Sequence, residues 1–376
     1  MNLIYYIIKQ LISALRYRIP LKKTDIIRSY KLYKQTPSEI RKGIKDILFE
    51  LNKLCKEYHC FDDAYFRHLL FLKEAGNNFA VLKSFVPQHF YAKWCIDDKD
   101  PRYRILIDDK ILFHRIMTQW GFPIPRIYFI FKNDTFCDLN NIPIDKDQVD
   151  LILSKVNNPK IFMKRPSGGA GSGVSCFFKE KGKYIDNSGL ILSAANILNH
   201  FHGQTLFFEE QLIQAHELSQ FNEDTINTIR VLTYNIDCNN YGILSAAVRF
   251  GRKGSFMDNT AQGGVAVNLN IETAKLGCFG LREYELLKFS EHPDSHRIFK
   301  DTHIPQWEAV RNLVNEVTLA FPYFKSVGFD IAITTKGPVI IEINTGAGIY
   351  LSQMGMTSGL FNKLDKLSNL RKKYID

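Results

Sequence analysis

Two acids and an amide near the C-terminus have a spacing that lets a β-hairpin bring them together. The stretch 328–344 alternates apolar and polar side chains on both sides of a Lys-Gly-Pro turn, which is typical of two antiparallel strands joined by a short loop. A turn centred near Lys336 pairs Asp330 with Glu342, and directly opposed residues have Cβ atoms roughly 5 Å apart. Because strand side chains alternate between faces, Asn344 lies on the face of Glu342.

Opposed carboxylates repel each other unless a proton or a cation lies between them. Oxygen ligands of this kind suit a hard divalent ion, with Mg²⁺ as the first choice and Mn²⁺ as the alternative. The same alternation places Ile341 and Ile343 on the opposite, apolar face together with Ile331 and Ile333. A solvent-exposed polar strand face is the other interpretation, and residues elsewhere in the chain decide between the two.

A glycine-rich segment supplies a second chemical feature. In IFMKRPSGGAGSGVSCFF, residues 161–178, a strand, a loop with four glycines and another strand follow one another. Glycines let the backbone approach a ligand closely and point successive N–H groups at an anion. The loop lacks the GK[ST] of a P-loop, and Val174 stands where a dinucleotide-binding fingerprint needs glycine. We therefore expect a hairpin that covers a nucleotide, with Lys164 reaching its phosphates; a flexible hairpin without a ligand is the alternative.

Charged residues interrupt apolar segments elsewhere. Arg230 in INTIRVLTYN and Arg249 in GILSAAVRFG lie in predicted strands, where an unpaired guanidinium is costly. They indicate binding of phosphate or carboxylate, or a structural salt bridge. The strand TLFFEEQLI, residues 205–213, carries two adjacent acids, one of which must point inward or toward a ligand. Lys110 stands at the start of a predicted helix, where the dipole favours anions, so it is a candidate to bind a phosphate.

The elements that position these residues belong to a globular chain. With 376 residues, of which 45% are hydrophobic and 13% aromatic, it can bury a large core and form two or three subdomains. This composition excludes a disordered or fibrous protein. Seven cysteines without a CxxC pair favour reduced thiols in a cytosolic compartment.

Positive charge is concentrated at the N-terminus. Residues 1–53 carry twelve Lys and Arg against four acids, which accounts for most of the formal net charge of +10. Residues 1–18 predict an amphipathic helix that is too short, and too interrupted by Lys9, to cross a membrane, and that lacks the features of a secretory signal. Such a helix can lie in an anionic membrane interface, or pack on the protein itself or a second subunit. No nucleic-acid recognition motif accompanies it, so nucleic acid is not an expected partner.

The order of these motifs resembles that of an ATP-grasp enzyme, and in particular that of the sugar-transfer-associated ATP-grasp family. The matching stretches are DDKILFHRIMTQWGFPIP, FMKRPSGGAGSGV, FFEEQL, NTIRVLT, VRFG with MDNTAQGGVAV, HPDSHRIFKDTHIPQW, and VGFDIAI with GPVIIEINTGAG. The resemblance implies an α+β ATP-grasp fold, in which two α+β subdomains sandwich ATP, here with a helical N-terminal extension. The expected parts are a basic helical region at 1–100, an N-terminal subdomain with the glycine-rich loop at 101–210, and a C-terminal subdomain with the metal site at 211–376. Many ATP-grasp ligases begin instead with a Rossmann-like domain that helps to hold the second substrate, so acceptor recognition is left open.

The resemblance also implies a role for each site residue. ATP binding falls to Lys110, Lys164, Ser167, Gly168, Gly169, Gly171, Ser172, Gly173, Glu209, Glu210 and Leu212. The lysines contact the phosphates, and either Glu209 or Glu210 accepts a hydrogen bond from the adenine amino group. Mg²⁺ binding falls to Asp330, Glu342 and Asn344, whose spacing matches the metal site of the fold. The catalytic residues are Lys164, Arg230 and Arg249, which neutralise charge at the transferred phosphoryl group, with Arg249 also holding the substrate carboxylate.

The implied activity is ATP- and Mg²⁺-dependent joining of a carboxylate to an amine through an acyl phosphate. The expected substrates are a sugar acid of a bacterial surface polysaccharide and an amine or amino acid. Two alternatives are an ATP-grasp kinase acting on a sugar or glycan hydroxyl, and a non-catalytic ATP-binding assembly factor. The protein is expected in the cytoplasm, with peripheral contact to the inner face of the membrane through residues 1–18.

Overall fold

The computed structural model describes residues 23–59, 64–96, 101–168, 173–258, 260, 263–283 and 285–375. The predicted amphipathic helix at 1–18 and three positions of the glycine-rich loop, Gly169, Gly171 and Ser172, lie outside these ranges. Within them the chain forms a helical N-terminal region followed by two antiparallel sheets, so the predicted α+β class with a helical N-terminal extension is confirmed.

The N-terminal region consists of short helices. They are α1 (Lys23–Gln35), α2 (Ile44–Tyr58), α3 (Ala64–Arg67), a 3₁₀ turn (Lys73–Ala75), α4 (Phe79–Ser84) and α5 (Gln88–Ile96), after which α6 (Pro101–Asp108) and α7 (Lys110–Gln119) lead into the first sheet. Buried side chains such as Leu51, Tyr65, Phe71 and Phe85 give this region a hydrophobic core of its own. No helix within the described residues is both long and apolar enough to span a lipid bilayer.

The first sheet has seven antiparallel strands in the order β3-β2-β1-β7-β4-β5-β6. The strands are β1 (Ile127–Lys132), β2 (Thr135–Cys137), β3 (Pro143–Ile144), β4 (Lys160–Lys164), β5 (Val174–Glu180), β6 (Lys183–Ile185) and β7 (Leu206–Glu210). Two helices, α8 (Lys146–Lys155) and α9 (Ala194–His200), pack on it, with Val149 and Ile197 buried against Phe129 and Phe208. The sheet therefore has one covered face and leaves β4 and β7 side by side at its centre.

The second sheet has six antiparallel strands in the order β11-β10-β9-β8-β12-β13. The elements of this half are α10 (His216–Ser219), β8 (Thr228–Asp237), β9 (Asn240–Phe250), β10 (Val265–Leu269), β11 (Leu276–Leu281), α11 (Trp307–Ala320), β12 (Gly328–Thr334), β13 (Gly337–Asn344), α12 (Ile349–Gln353) and α13 (Phe361–Ile375). Ile229, Val231, Val248 and Ile331 are fully buried on the face that packs against α11. Because side chains alternate along a strand, residues between them, such as Arg230, face the other side, where the sheet borders a pocket.

The segment before the first sheet packs on the second sheet. Ile107 of α6 and Phe113 and Met117 of α7 are buried in the core that the second sheet forms with α11. Strand β7 ends at Glu210, where the sequence predicts the division between subdomains. The predicted boundaries of the three parts stay predictions.

The N-terminal helices are fixed to the second sheet and to the segment that follows β13. Val86 and Trp94 share a hydrophobic cluster with Leu232 of β8 and Leu364 of α13. Gln353 of α12 is fully buried; its Nε2 donates to the Val86 carbonyl at 3.0 Å, and its Oε1 accepts from the Val86 N–H at 2.8 Å. The helical region is thereby held directly beside the end of the acid-bearing hairpin.

Candidate active site

The predicted acid pair is formed by β12 and β13. Asp330 lies directly opposite Glu342, as the sequence predicts. The tight turn pairs Thr334 with Gly337, a register that by itself would set Asp330 opposite Ile341. A β-bulge at Ile341 shifts the pairing by one residue and restores the acid pair.

The same bulge overturns the prediction for Ile341. This side chain is half-buried and lines the pocket, whereas Ile340 is fully buried in the core with Ile331 and Ile343. The prediction that Ile341 shares the core face with Ile343 is wrong, because one extra residue in a strand changes the face to which its neighbour points. Ile341 instead gives the acidic side of β13 an apolar contact surface.

Two arginines hold Asp330 on the floor of the pocket. Arg230 binds both of its oxygens, with Nε 2.5 Å from Oδ1 and Nη2 2.9 Å from Oδ2. The Nη2 atom of Arg249 lies 3.1 Å from the same Oδ2. Burial raises the pKa of Asp330, but the two guanidinium groups outweigh burial and hold that pKa well below its usual range. Asp330 is therefore a buried carboxylate that is ionised at neutral pH.

Arg249 has two further contacts that the sequence reasoning missed. Its Nη2 and Nε donate to the Thr228 hydroxyl at 2.6 and 3.0 Å, and Nε lies 3.4 Å from Oδ2 of Asp258. Thr228 could have been found from its position two residues before Arg230, on the same strand face. Within the described residues, the contacts of Arg230 and Arg249 use Nε and Nη2, so Nη1 of each remains for a ligand in the pocket.

Glu342 has the opposite electrostatic setting. Burial and the negative charge of Asp330 raise the pKa of Glu342. Lys110, whose Nζ lies 3.7 Å from the Glu342 carboxylate, offsets this rise only in part. The Nδ2 of Asn344 donates to Glu342 Oε1 at 3.1 Å. Glu342, an acid with a raised pKa beside the ionised Asp330, therefore binds either a proton or a cation.

The chemistry of Asp330, Glu342 and Asn344 fits a hard divalent ion. All three line the pocket and offer oxygen ligands, which Mg²⁺ and Mn²⁺ prefer. Among the described residues, no group of three or more His, Cys, Asp and Glu side chains is placed to hold a metal. An ion at this site would therefore need the amide oxygen of Asn344 and oxygens from water or a ligand, which is how Mg²⁺ is commonly bound.

On the first sheet, Lys164 of β4 and Glu209 of β7 form an ion pair at the pocket wall. Oε2 of Glu209 also lies 3.3 Å from Nε2 of His114, and Nδ1 of His114 lies 2.8 Å from the Lys110 carbonyl oxygen. Burial raises the pKa of Glu209, but Lys164 and His114 together lower it to about 2. His114 was missed from the sequence, although it stands one helical turn after Lys110.

Lys164→Met is expected to lower the free energy of unfolding at pH 7 by about 1–3 kcal/mol, because the buried carboxylate of Glu209 loses a charged partner. The folded pKa of Glu209 lies below its ordinary 4.5, so its stabilising effect is present above that pH and is lost as the pH falls toward 2. The variant should lose less stability than the wild type between pH 7 and pH 3, measured by urea unfolding.

Lys160→Met is the matched control, since Lys160 lies on the same strand and its Nζ donates to the backbone carbonyl of Asp224 at 2.6 Å. This control should keep the acid sensitivity of the wild type. Equal loss of stability by Lys164→Met and the wild type on acidification would show that Lys164 does not set the ionisation of Glu209.

Lys110 ties the start of α7 to the glycine-rich loop. Its backbone N–H donates to the Pro166 carbonyl at 2.9 Å, and its Nζ donates to the Gly168 carbonyl at 2.8 Å. Gly168 and Gly173 have φ values of 132° and 80°, which glycine adopts far more readily than other residues. Ser167 is exposed at the same end of the loop. Lys110 is thus near both the loop and Glu342.

Most of these side chains line one pocket of about 580 Å³ between the two sheets, but the predicted site residues Lys110, Ser167, Gly168 and Gly173 are not among those that line it. The predicted site residues that line it are Lys164, Glu209, Glu210, Leu212, Arg230, Arg249, Asp330, Glu342 and Asn344. Lining residues that the sequence did not suggest include Arg104, Asp108, Phe162, Glu283 and Tyr350. They come from separate helices, strands and loops and share no local sequence pattern, so only the tertiary structure brings them together.

The profile described as "Sugar-transfer associated ATP-grasp" matches residues 96–369, well over half of the chain. The chain belongs to this family. The predicted resemblance and the ATP-grasp fold are therefore confirmed, while no curated protein matches the chain.

Three solved structures are similar to this ATP-grasp chain at low identity. The ATP-grasp ligase PsnB, complexed with a minimal precursor, shares 13% identity over 72% of this chain and 62% of its own, with a TM-score of 0.39. A D-alanine–D-alanine ligase from Bacillus anthracis shares 14% over 72% and 70%, with a TM-score of 0.38, and a biotin carboxylase from Campylobacter jejuni shares 12% over 70% and 46%, with a TM-score of 0.40. The match thus spans less than two thirds of PsnB.

Proposed function

We propose that this ATP-grasp protein is an ATP- and Mg²⁺-dependent carboxylate–amine ligase. The observation that carries the proposal is the convergence of Lys164, Arg230 and Arg249 with the acid pair Asp330 and Glu342 on one pocket. Three cations are suited to neutralise phosphoryl and carboxylate oxygens, and the acid pair is suited to the divalent ion that accompanies a triphosphate. Chemistry of this kind needs positioning and charge, not a covalent nucleophile.

ATP would lie between the two sheets. Lys110, Lys164 and the glycine-rich loop, with Ser167, Gly168, Gly169, Gly171, Ser172 and Gly173, would bind its phosphates. Glu210, the last residue of β7, and Leu212, just after it, would contact the adenine. We favour Glu210 over Glu209 because the carboxylate of Glu209 already faces Lys164 and His114.

Asp330, Glu342 and Asn344 would hold Mg²⁺, with Mn²⁺ as a substitute, and the bound ion would neutralise phosphate oxygens of ATP. Arg249 would orient the substrate carboxylate through Nη1, the edge of its guanidinium that the described contacts leave open. Arg230 and Lys164 would stabilise the negative charge of the phosphoryl group in transit. Protein contacts position each of these residues, and Asp330 would share its two oxygens between the ion and the two arginines.

The proposed reaction has two steps. An oxygen of the carboxylate attacks the γ-phosphorus of ATP, the bond to the β-phosphate oxygen breaks, and ADP leaves an acyl phosphate. The ammonium ion of the second substrate then loses a proton to solvent, and the neutral amine nitrogen attacks the acyl carbon. The nitrogen loses a second proton, the carbon–oxygen bond to the phosphate breaks, and inorganic phosphate leaves the amide. The family description supports a substrate in sugar-transfer chemistry, and we infer a sugar acid of a bacterial surface polysaccharide as the carboxylate.

The test is incubation with Mg²⁺-ATP, uronic acids and amines while ADP and phosphate are measured separately. A ligase releases ADP and phosphate in equal amounts, and only when acid and amine are both present. ADP without free phosphate, together with a phosphorylated sugar, would replace the ligase by a kinase. ATP binding without turnover over the whole panel would favour a non-catalytic assembly factor.

We also propose that the protein works in the cytoplasm and contacts the inner face of the membrane through residues 1–18. Cys137, Cys176, Cys238 and Cys278 are free thiols, which supports a reducing compartment. Deleting residues 1–18 should reduce partitioning onto vesicles that contain anionic lipid and leave ATP turnover unchanged. Equal partitioning of the deleted and full-length chains would remove the membrane role.

A further inference from the structure

The pocket spans strands β8, β9, β12 and β13 of the second sheet, and its charge changes along the way. Glu342 lies on β13, which is one edge strand, and Arg230 and Arg249 lie on the central strands β8 and β9. Glu283 follows two residues after β11, the opposite edge strand, and also lines the pocket. An acid thus lies beyond the two arginines, on the side away from the proposed metal site.

Glu283 is held by a residue of the N-terminal helical region. Arg67 at the end of α3 donates from Nη1 to Glu283 Oε2 at 2.9 Å, and its guanidinium carbon lies 3.6 Å from the centroid of the Tyr350 ring. The Arg67 side chain is only 8% exposed, whereas that of Glu283 is 34% exposed. A ligand in the pocket therefore meets the Glu283 carboxylate and the Tyr350 wall, with Arg67 behind them.

A second contact from the N-terminal helical region fixes the backbone next to Tyr350. Oε1 of Gln88, at the start of α5, accepts from the backbone N–H of Ile349 at 2.9 Å. The family profile begins at residue 96, so Arg67 and Gln88 both precede the matched range. The helices that carry them thus shape this end of the pocket with residues outside the family match.

The carboxylates that line the pocket differ in how many of their oxygens already contact a protein hydrogen-bond donor or cation. Asp330 is bound by two arginines, Glu209 by Lys164, and Asp108 accepts from the Thr345 hydroxyl at 3.0 Å. Within the described residues, the contact of Glu283 with Arg67 uses Oε2 and leaves Oε1 available, and Glu283 lines the pocket. An open carboxylate oxygen beside an aromatic side chain is well suited to an ammonium group.

We propose that Glu283 and Tyr350 form the subsite for the amine substrate, which is bound there as its ammonium ion, and that Arg67 is the positioning residue for both. The proposal rests on the ligase function and deepens it by naming the end of the pocket that takes the amine. Arg230 and Arg249 repel an ammonium ion and attract phosphate and carboxylate, so the two substrates are sorted by charge along the sheet. The helical N-terminal region thereby supplies part of acceptor recognition.

Glu283→Gln tests the subsite, because it removes the charge and keeps the shape. With Mg²⁺ and a non-hydrolysable ATP analogue bound, glucosamine, ethanolamine and L-lysine are screened by saturation-transfer-difference NMR. At least one amine should bind the wild type, and its affinity should fall about 10-fold or more in Glu283→Gln. Glu285→Gln is the matched control, since Glu285 is a nearby exposed acid that pairs with Arg282 at 3.4 Å, and it should bind like the wild type.

Turnover separates the failure of this inference from the failure of the ligase function. With glucuronic acid and the binding amine, Glu283→Gln and Arg67→Lys should raise the KM for the amine about 10-fold and change the KM for ATP less than about two-fold. Phosphate release by the wild type with an unchanged amine KM in Glu283→Gln would overturn the subsite alone. Absence of phosphate release by the wild type would overturn the ligase, and absence of amine binding by NMR would overturn the subsite directly.

Discussion

Glu342→Gln is expected to reduce ATP turnover about 100-fold or more while the protein stays folded. Glu342 lies opposite Asp330, and burial together with the negative charge of Asp330 raises the pKa of Glu342, so its ionised form needs a further positive charge nearby. In our account a divalent ion supplies this positive charge. An uncharged glutamine at position 342 binds that ion much more weakly than a carboxylate does. The measurement is ADP release at saturating Mg²⁺-ATP with both substrates, beside the thermal unfolding midpoint of the same preparation.

A pH signature accompanies this loss of activity. Because burial and Asp330 raise the folded pKa of Glu342, the folded protein binds a proton more tightly there than the unfolded chain does. The contribution of Glu342 to the stability of the wild type without Mg²⁺ therefore falls as the pH rises from about 4.5 through that raised pKa. Glutamine does not ionise, so Glu342→Gln should be more stable than the wild type at pH 8 and equally stable at pH 4.

Glu316→Gln is the control, since Glu316 is an exposed acid on α11, the helix on the other face of the sheet. It should change neither turnover nor the pH dependence of stability. Full activity of Glu342→Gln would remove the metal assignment. A variant less stable than the wild type at pH 8 would show that the acid pair is not electrostatically strained.

Arg230→Met is expected to lower the free energy of unfolding by about 3–5 kcal/mol, the largest stability effect in the site. Arg230 makes two hydrogen bonds to Asp330, whose side chain is 3% exposed, so the substitution leaves a buried carboxylate with Arg249 as its remaining cationic contact. In the wild type the pKa of Asp330 is depressed. The stabilising effect of the Asp330 carboxylate is therefore present above about pH 3.8 and is lost as the pH falls through the folded pKa. Urea unfolding at pH 7 and pH 3 measures both effects.

A surface pair with the same geometry provides the comparison. Arg252 bonds both oxygens of Asp294 at 2.7 Å, but the two side chains are 34% and 23% exposed. Arg252→Met should cost about 0–1 kcal/mol, because water screens the pair. The double variant Arg230→Met, Asp330→Leu should recover part of the lost stability, since no buried charge is left unpaired. Equal costs for Arg230→Met and Arg252→Met would contradict the buried-pair account.

The local parts of the site could be predicted from the sequence. Alternation and turn residues are enough to predict a hairpin that brings Asp330, Glu342 and Asn344 together, but the exact pairing of Asp330 with Glu342 depends on the bulge, because the turn register alone would set Asp330 opposite Ile341. The bulge at Ile341 was not foreseen. The turn and the core pattern compete for register there, and the buried position of Ile340 decides the outcome.

The long-range contacts could not be predicted, because they depend on sheet order. The sequence marks Glu209 as an acid in an apolar strand, but its partners Lys164 and His114 come from segments that only the tertiary fold brings to β7. The contact of Arg67 with Glu283 joins residues 216 positions apart. A hydrophobic pattern that repeats every 2 or 3.6 residues indicates a strand or a helix, but it does not show which distant residues are in contact.

The central claim is that Asp330, Glu342 and Asn344 bind the divalent ion of a nucleotide lying between the two sheets. The most direct test is a crystal structure with Mn²⁺ and a non-hydrolysable ATP analogue, with anomalous scattering used to locate the metal. We expect the Mn²⁺ peak between the acid pair and the phosphates, with Lys110 and Lys164 on the phosphate oxygens. A nucleotide bound elsewhere, or no metal beside Glu342 with this carboxylate turned to bulk water, would contradict the account.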